Sequence, residues 1–136
     1  MFDTSFAEMT SAQAAALWSG LLIILLGLLA TRMLFARDKG PEVLEHGPTS
    51  EAAVVRSFRN AAEYVPLGVA TLILFYHLEA SAAAIHFLGG TLLLGRVVQA
   101  MSFADAKARL LRRGGVGLTL LALFICGGML ITLALT

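Results

Sequence analysis

From Met9 to Thr31 the chain carries no charged side chain for 23 residues. A run of that length and polarity is long enough to cross a bilayer as one helix with some tilt. Three further apolar stretches follow, and the expected spans lie at about 11–35, 51–78, 81–103 and 112–135. With 58% hydrophobic and 14% charged residues in 136, the reading is an all-α integral membrane protein, a single domain over 1–136 built as a four-transmembrane-helix bundle. Residues 1–10 are acidic and lack Lys and Arg, so the first run reads as a retained span rather than a signal peptide. Gly40, Pro41, Gly47 and Pro48 break helix in the first loop, and Thr49 or Ser50 is the expected N-cap of the second span. Pro66 is expected to kink that span. The short connection around Glu79 predicts a tight antiparallel hairpin of spans two and three. Gly89-Gly90, Gly127-Gly128 and the alanines at 82–84 offer close helix approach.

Charge sets the orientation. All ten Lys and Arg residues fall at one end of the four spans, whereas the other end holds Asp3, Glu8 and Glu79. The positive-inside bias places loops one and three in the cytoplasm and both termini outside, and the expected location is the bacterial inner membrane. The single cysteine, Cys126, excludes an internal disulfide and reads as packing. Trp18 reads as an interface or core residue and His86 as a core histidine. No metal-ligand spacing, phosphate loop, dinucleotide fingerprint or nucleic-acid-binding pattern is present in the sequence.

The second span departs from this apolar scheme. Its first half, EAAVVRSFRNAAEYVPL, carries Arg56, Arg59, Asn60, Glu63 and Tyr64. The uncharged part of span two, Tyr64 to Leu78, is 15 residues, and that of span three, Ala80 to Gly95, is 16. Both fall short of the roughly 20 residues a span needs, so Glu63 and Arg96 are drawn below the membrane surface. Counted from the turn at Glu79 they lie at matched depth, as Asn60 and Gln99 do one turn further in. A lone buried charge costs about 2.5–3.5 kcal/mol, which predicts a Glu63–Arg96 pair. Arg56, Asn60 and Glu63 stand at i, i+4 and i+7 on one predicted helix face, with Arg59 beside them. Such a face asks for an anionic partner, either a lipid headgroup or a bound ligand.

The pattern R-x-x-x-N-x-x-E-Y-x-P, here Arg56, Asn60, Glu63, Tyr64 and Pro66, resembles the signature of the MAPEG family, the membrane-associated proteins of eicosanoid and glutathione metabolism. Arg96 on the third span and the four-span layout fit the same family. The resemblance implies a homotrimer with glutathione, as co-substrate, bound between adjacent subunits near the cytoplasmic side. Arg56, Asn60, Glu63 and Tyr64 match glutathione-contacting positions, Arg59 matches an arginine of the family's prostaglandin synthase branch and is counted with them as glutathione-binding, and Arg37 resembles the first-helix arginine that reaches the peptide's carboxylate. Arg96 resembles the span-three arginine, with Gln99 one turn on at a position where the family usually has Tyr or His. Phe103 stands where the family usually has Tyr; Gln can still donate a hydrogen bond, Phe cannot. The family's catalytic arginine lies early in span four, where Arg112 or Arg113 fills the place, ahead of Arg109. The implied activity is a glutathione-dependent membrane transferase or peroxidase acting on apolar electrophiles taken from the bilayer. The alternative is a non-catalytic glutathione- or lipid-binding scaffold of the same fold.

Overall fold

The computed structural model describes residues 5, 8–38, 51–102 and 108–136. The first loop with its glycines, prolines and expected N-cap, and residues 103–107 with Phe103 and Lys107, lie outside the described residues. Four helices account for the architecture: α1 (Ser11–Asp38), α2 (Glu51–His77), α3 (Ala82–Ser102) and α4 (Arg109–Leu135). No strand occurs among the described residues. The helices α1, α3 and α4 are each long and apolar enough to cross a membrane. The polar residues in its first half keep α2 below that hydropathy, although it is 27 residues long.

Local chemistry fixes the starts of α1 and α3 and the turn between α2 and α3, whereas α4 starts after Ala108 without a side-chain cap. At the head of α1, Thr10 Oγ1 accepts from the Gln13 amide at 3.2 Å while Gln13 Oε1 accepts from the Thr10 amide at 2.9 Å. This reciprocal pair is a capping box, which satisfies two helix-end donors at once. Ser81 caps α3 through Oγ and the Ala84 amide at 3.2 Å. The α2–α3 turn closes as a Schellman motif: the Glu79 amide donates to Tyr76 O, and the Ala80 amide to Phe75 O. Ala80 and Phe75, the residues that flank the motif, are both buried in the core. Ser11 Oγ donates to Ala80 O at 2.9 Å and ties the start of α1 to this turn. Within α2, the helix passes through Pro66 as one element.

Glu79 occupies the left-handed region, with φ of 58°. That conformation costs an L-residue about 1–2 kcal/mol and glycine almost nothing, although glycine loses more chain entropy on folding. Glu79→Gly is therefore expected to raise stability by about 0.5–1 kcal/mol, read from thermal melting of the purified protein in detergent. A lower melting temperature would show that the Glu79 side chain stabilises the turn by more than its backbone strain.

The helices run up, down, up, down. Trp18 of α1 meets His86 and Gly89 of α3, and Gly68 of α2 faces Leu22 of α1 and Leu92 of α3. Further along, Asn60, Arg96 and Thr119 bring α2, α3 and α4 to one level. The packing is most extensive between α3 and α4 and between α1 and α2. The α2–α3 contact is smaller, although those two helices are joined by a link of a few residues. The core is built from Ala14, Leu22, Leu29, Ala61, Val65, Leu72, Phe75, Ile85, Leu88 and Cys126.

Close approach happens at Gly89, of the expected Gly89-Gly90 pair, and at Gly95 and Gly115. A methyl group on Gly89 would lie 2.2 Å from Trp18 Cγ, and one on Gly115 would lie 2.9 Å from the Gln99 backbone nitrogen. On Gly95 it would fall 2.6 Å from Thr119 Oγ1. Gly127 and Gly128, expected to serve this purpose, have open space beside them. Trp18 Nε1 donates to His86 Nδ1 at 3.0 Å with the rings edge to face, so both residues act in packing α1 on α3. The outward faces carry large apolar side chains such as Ile23, Ile24, Phe87, Leu94, Phe124 and Ile131. A continuous apolar surface of this kind is what acyl chains require and water does not tolerate.

Candidate functional site

The polar centre of the bundle is Arg96. It stands in the second half of α3 and is 4% exposed. Its Nη1 donates to Asn60 Oδ1 at 2.5 Å. Its Nη2 donates to Gln99 Oε1 at 2.6 Å and to Thr119 Oγ1 at 2.5 Å. The Tyr64 ring covers the guanidinium, with Cζ 4.5 Å from the ring centroid. Four side chains from three helices thus surround one cation, and none of them is a carboxylate. The predicted Glu63–Arg96 pair does not form, and among the described residues no ion pair engages Arg96.

The physical reason lies in the angle around α2. Depth counted from the turn puts Glu63 level with Arg96 but says nothing about which way it points. Residues advance about 100° per step around a helix, so Asn60 and Tyr64, one turn apart, share a stripe that Glu63 does not. Asn60 and Tyr64 are partly buried toward α3, whereas Arg56, Arg59 and Glu63 are exposed. The expected single face of Arg56, Asn60 and Glu63 is therefore divided between the bundle's interior and its outer surface.

Neutral acceptors suffice energetically. Hydrogen bonds to a charged group contribute about 1.5–3 kcal/mol each, and a desolvated cation–π contact about 2 kcal/mol. Three such bonds and one ring offset a burial cost of about 2.5–3.5 kcal/mol. Arg96 Nε is buried and has no partner among the described residues.

A second layer extends from this centre toward α4. Ser102 Oγ donates to Gln99 O at 2.6 Å, and Arg112 Nη2 reaches Ser102 O at 3.5 Å. Arg112 is half-buried, while Arg109 and Arg113 are exposed. The last turn of α3 presents unsatisfied carbonyls, which a cation favours. Arg37 lies exposed in the last turn of α1.

Of the sequence-predicted residues, the bundle thus gathers Asn60, Tyr64, Arg96 and Gln99 into one cluster and brings Arg112 to its edge. It leaves Arg37, Arg56, Arg59, Glu63 and Arg113 outward. Thr119 and Ser102 belong to the cluster and were not anticipated. The available signal for Thr119 was its place one turn beyond Gly115, the only hydroxyl in the first half of an otherwise apolar α4.

A helical bundle with a lipid-compatible surface and a buried basic centre near one end defines an integral membrane protein with a polar site inside the bilayer. The chain belongs to the MAPEG family, whose model matches residues 15–132. No curated protein and no solved structure aligns significantly with the chain.

Proposed function

We propose that the protein is a glutathione-dependent transferase or peroxidase that takes apolar electrophiles from the bilayer and works as a homotrimer. The observation that carries this reading is the outward face of α2. Arg56, Arg59, Glu63, Pro66, Ala70 and Ile73 are all exposed and follow one another at alternating steps of three and four. Such a 3.5-residue repeat is the seam along which helices of different subunits pack. Charged groups on that seam cannot face acyl chains without cost, and a second copy supplies a protein surface instead. A cleft between copies would be lined by Arg56, Arg59 and Glu63 and backed by the Asn60, Tyr64, Arg96, Gln99 cluster.

The residue chemistry suits glutathione. Its two carboxylates match planar guanidinium groups, in this reading Arg56, Arg59 and Arg37. Glu63 accepts from its ammonium or amide N–H groups. The thiol is a weak nucleophile until deprotonated, and an adjacent guanidinium favours the thiolate. Arg112 takes that role here in preference to Arg113, because it leans on the end of α3 beside Gln99. The thiolate then attacks an electrophilic carbon, forming the C–S bond as the leaving group departs. The orientation follows the charge partition: the site near the cytoplasmic face of a bacterial inner membrane, with both termini outside.

The non-catalytic alternative draws on one observation: Gln99 Oε1 is held by Arg96, where it stabilises a buried cation. What that residue offers a bound peptide is its amide NH2 group, with two donors. The test uses the purified full chain in detergent. Glutathione at 100 times its dissociation constant is expected to stabilise the protein by about 2.7 kcal/mol, seen as a rise in melting temperature. Conjugation of glutathione to a chlorinated nitrobenzene is expected above the uncatalysed rate. Stabilisation without turnover would establish the scaffold reading, and absence of both would end the glutathione assignment.

A further inference from the structure

We propose a second site, a groove between α1 and α3 that holds one acyl chain of an anionic membrane lipid, with the lipid phosphate on Arg32. The groove has a volume of about 360 Å³ and is lined by Leu25, Leu28, Leu29, Val97, Ala100 and Met101, with Arg32 among its lining residues. Leu29 is 5% exposed and forms its floor, whereas Leu28 and Met101 stand 61% and 64% exposed. Ala100 is the smallest side chain in the lining. The volume lies near the lower end of the roughly 300–1,000 Å³ range of ligand pockets, which suits a single chain better than a bulky ring system.

The register of the helices sets the polarity of this groove. On α1, Leu25, Leu28, Leu29 and Arg32 recur at the spacing of one helix face. Because α1 and α3 run in the same direction, Arg32 and Met101 mark the same end and Leu25 and Val97 the other. Arg32 lies about 32 Å along α1 from Ser11, at 1.5 Å per residue. The hydrocarbon core is about 30 Å thick, so the guanidinium stands at the level of lipid phosphates when Ser11 meets the opposite surface.

Charge complementarity selects the occupant. No hydrogen bond or ion pair engages Arg32 among the described residues. Among the described residues no acidic side chain lines the groove, and Arg37 lies further along the same helix. A basic residue closing an apolar slot between helices is the arrangement that binds anionic headgroups. Snorkelling alone would orient Arg32 toward the surface but would favour no particular lipid. The assignment does not depend on glutathione and stands or falls separately from it.

The experiment compares dioleoylphosphatidylglycerol with dioleoylphosphatidylcholine, added to the delipidated full chain in detergent and read by native mass spectrometry and thermal melting. The anionic lipid is expected to bind more tightly and to raise the melting temperature saturably. Arg32→Gln is expected to lower its apparent affinity roughly fivefold, to that of the zwitterionic lipid, with unchanged helical circular dichroism. A second variant, Met101→Cys, adds the only exposed thiol, because Cys126 is buried. Its labelling by a maleimide is expected to be fast in detergent and slowed by the anionic lipid. Undiminished preference for phosphatidylglycerol in Arg32→Gln would overturn the site. So would a thiol at position 101 already protected without lipid, which would assign the groove to a second protein copy.

Discussion

Arg96→Ala is expected to lower the stability of the protein in detergent by roughly 3–5 kcal/mol, because it leaves buried oxygens on three helices without a donor. The substitution deletes the group on which three helices converge: Asn60 from α2, Gln99 from α3 and Thr119 from α4 all direct an oxygen at it. Each oxygen left buried without a donor costs about 1–3 kcal/mol, partly recovered where Asn60 and Gln99 amides turn toward one another. The Tyr64 ring loses the cation it covers. The loss is read from helical circular dichroism on heating, with oligomeric state checked alongside. Arg96→Lys keeps the charge but has one nitrogen where the guanidinium spans several acceptors, so its melting temperature is expected between those of wild type and Arg96→Ala. An alanine variant within about 1 kcal/mol of wild type would mean the network contributes little beyond what water supplies, since ordinary surface substitutions fall within about 0.5 kcal/mol.

That network also marks where sequence reasoning works and where it stops. Charge-free runs make the helices legible, because a bilayer leaves few other options for twenty apolar residues in a row. Distance from the turn at Glu79 is also legible, since a helix rises by a constant step. Counting along the chain therefore brings Asn60, Arg96 and Gln99 to neighbouring levels, and the structure joins all three. Counting does not give the rotation of a helix about its own axis. Glu63 is at the depth of Arg96 and yet turned outward, and a carboxylate looks like the natural partner until the azimuth is known. Thr119 is invisible for a different reason. A threonine in an apolar helix ordinarily bonds back to its own backbone, as Thr119 does to Gly115 O at 2.9 Å. Only the closeness of Gly95 and Gly115 to the neighbouring helix brings its oxygen to Arg96 as well. Of the two glycine pairs the sequence offers, Gly89-Gly90 lies against Trp18 and Gly127-Gly128 has open space, because contact needs a partner helix on the correct side. The T-x-x-Q spacing of Thr10 and Gln13 was readable as a capping box and belongs to the local signals that need no tertiary information.

Arg56→Ala is expected to show the opposite signature to Arg96→Ala. Arg56 is exposed on α2 and makes no hydrogen bond or ion pair among the described residues. Its removal takes nothing out of the protomer's core, so the melting temperature without ligand should move by no more than about 0.5 kcal/mol equivalent. In the proposed cleft, however, it meets a glutathione carboxylate shielded from water by the neighbouring copy. Truncating one member of such a buried pair costs about 2–5 kcal/mol, which is roughly a 30- to several-thousand-fold loss of affinity. Glutathione titrated against the variant should then leave the melting temperature flat at concentrations that saturate the wild type, with the oligomer intact by sedimentation. Arg56→Lys should recover only part of the affinity, since an ammonium cannot offer a carboxylate two parallel donors. Unchanged glutathione binding in Arg56→Ala would place the guanidinium among lipid headgroups instead, where one cation more or less is worth about 1 kcal/mol to the membrane and nothing to the peptide. Because Arg96 is buried among three helices and Arg56 is exposed on the outer face of α2, their variants separate holding the bundle together from holding a ligand between bundles. A protein whose stability fell with Arg56 as steeply as with Arg96 would have its α2 seam in the fold of each chain, and the cleft between copies would have no ligand to explain.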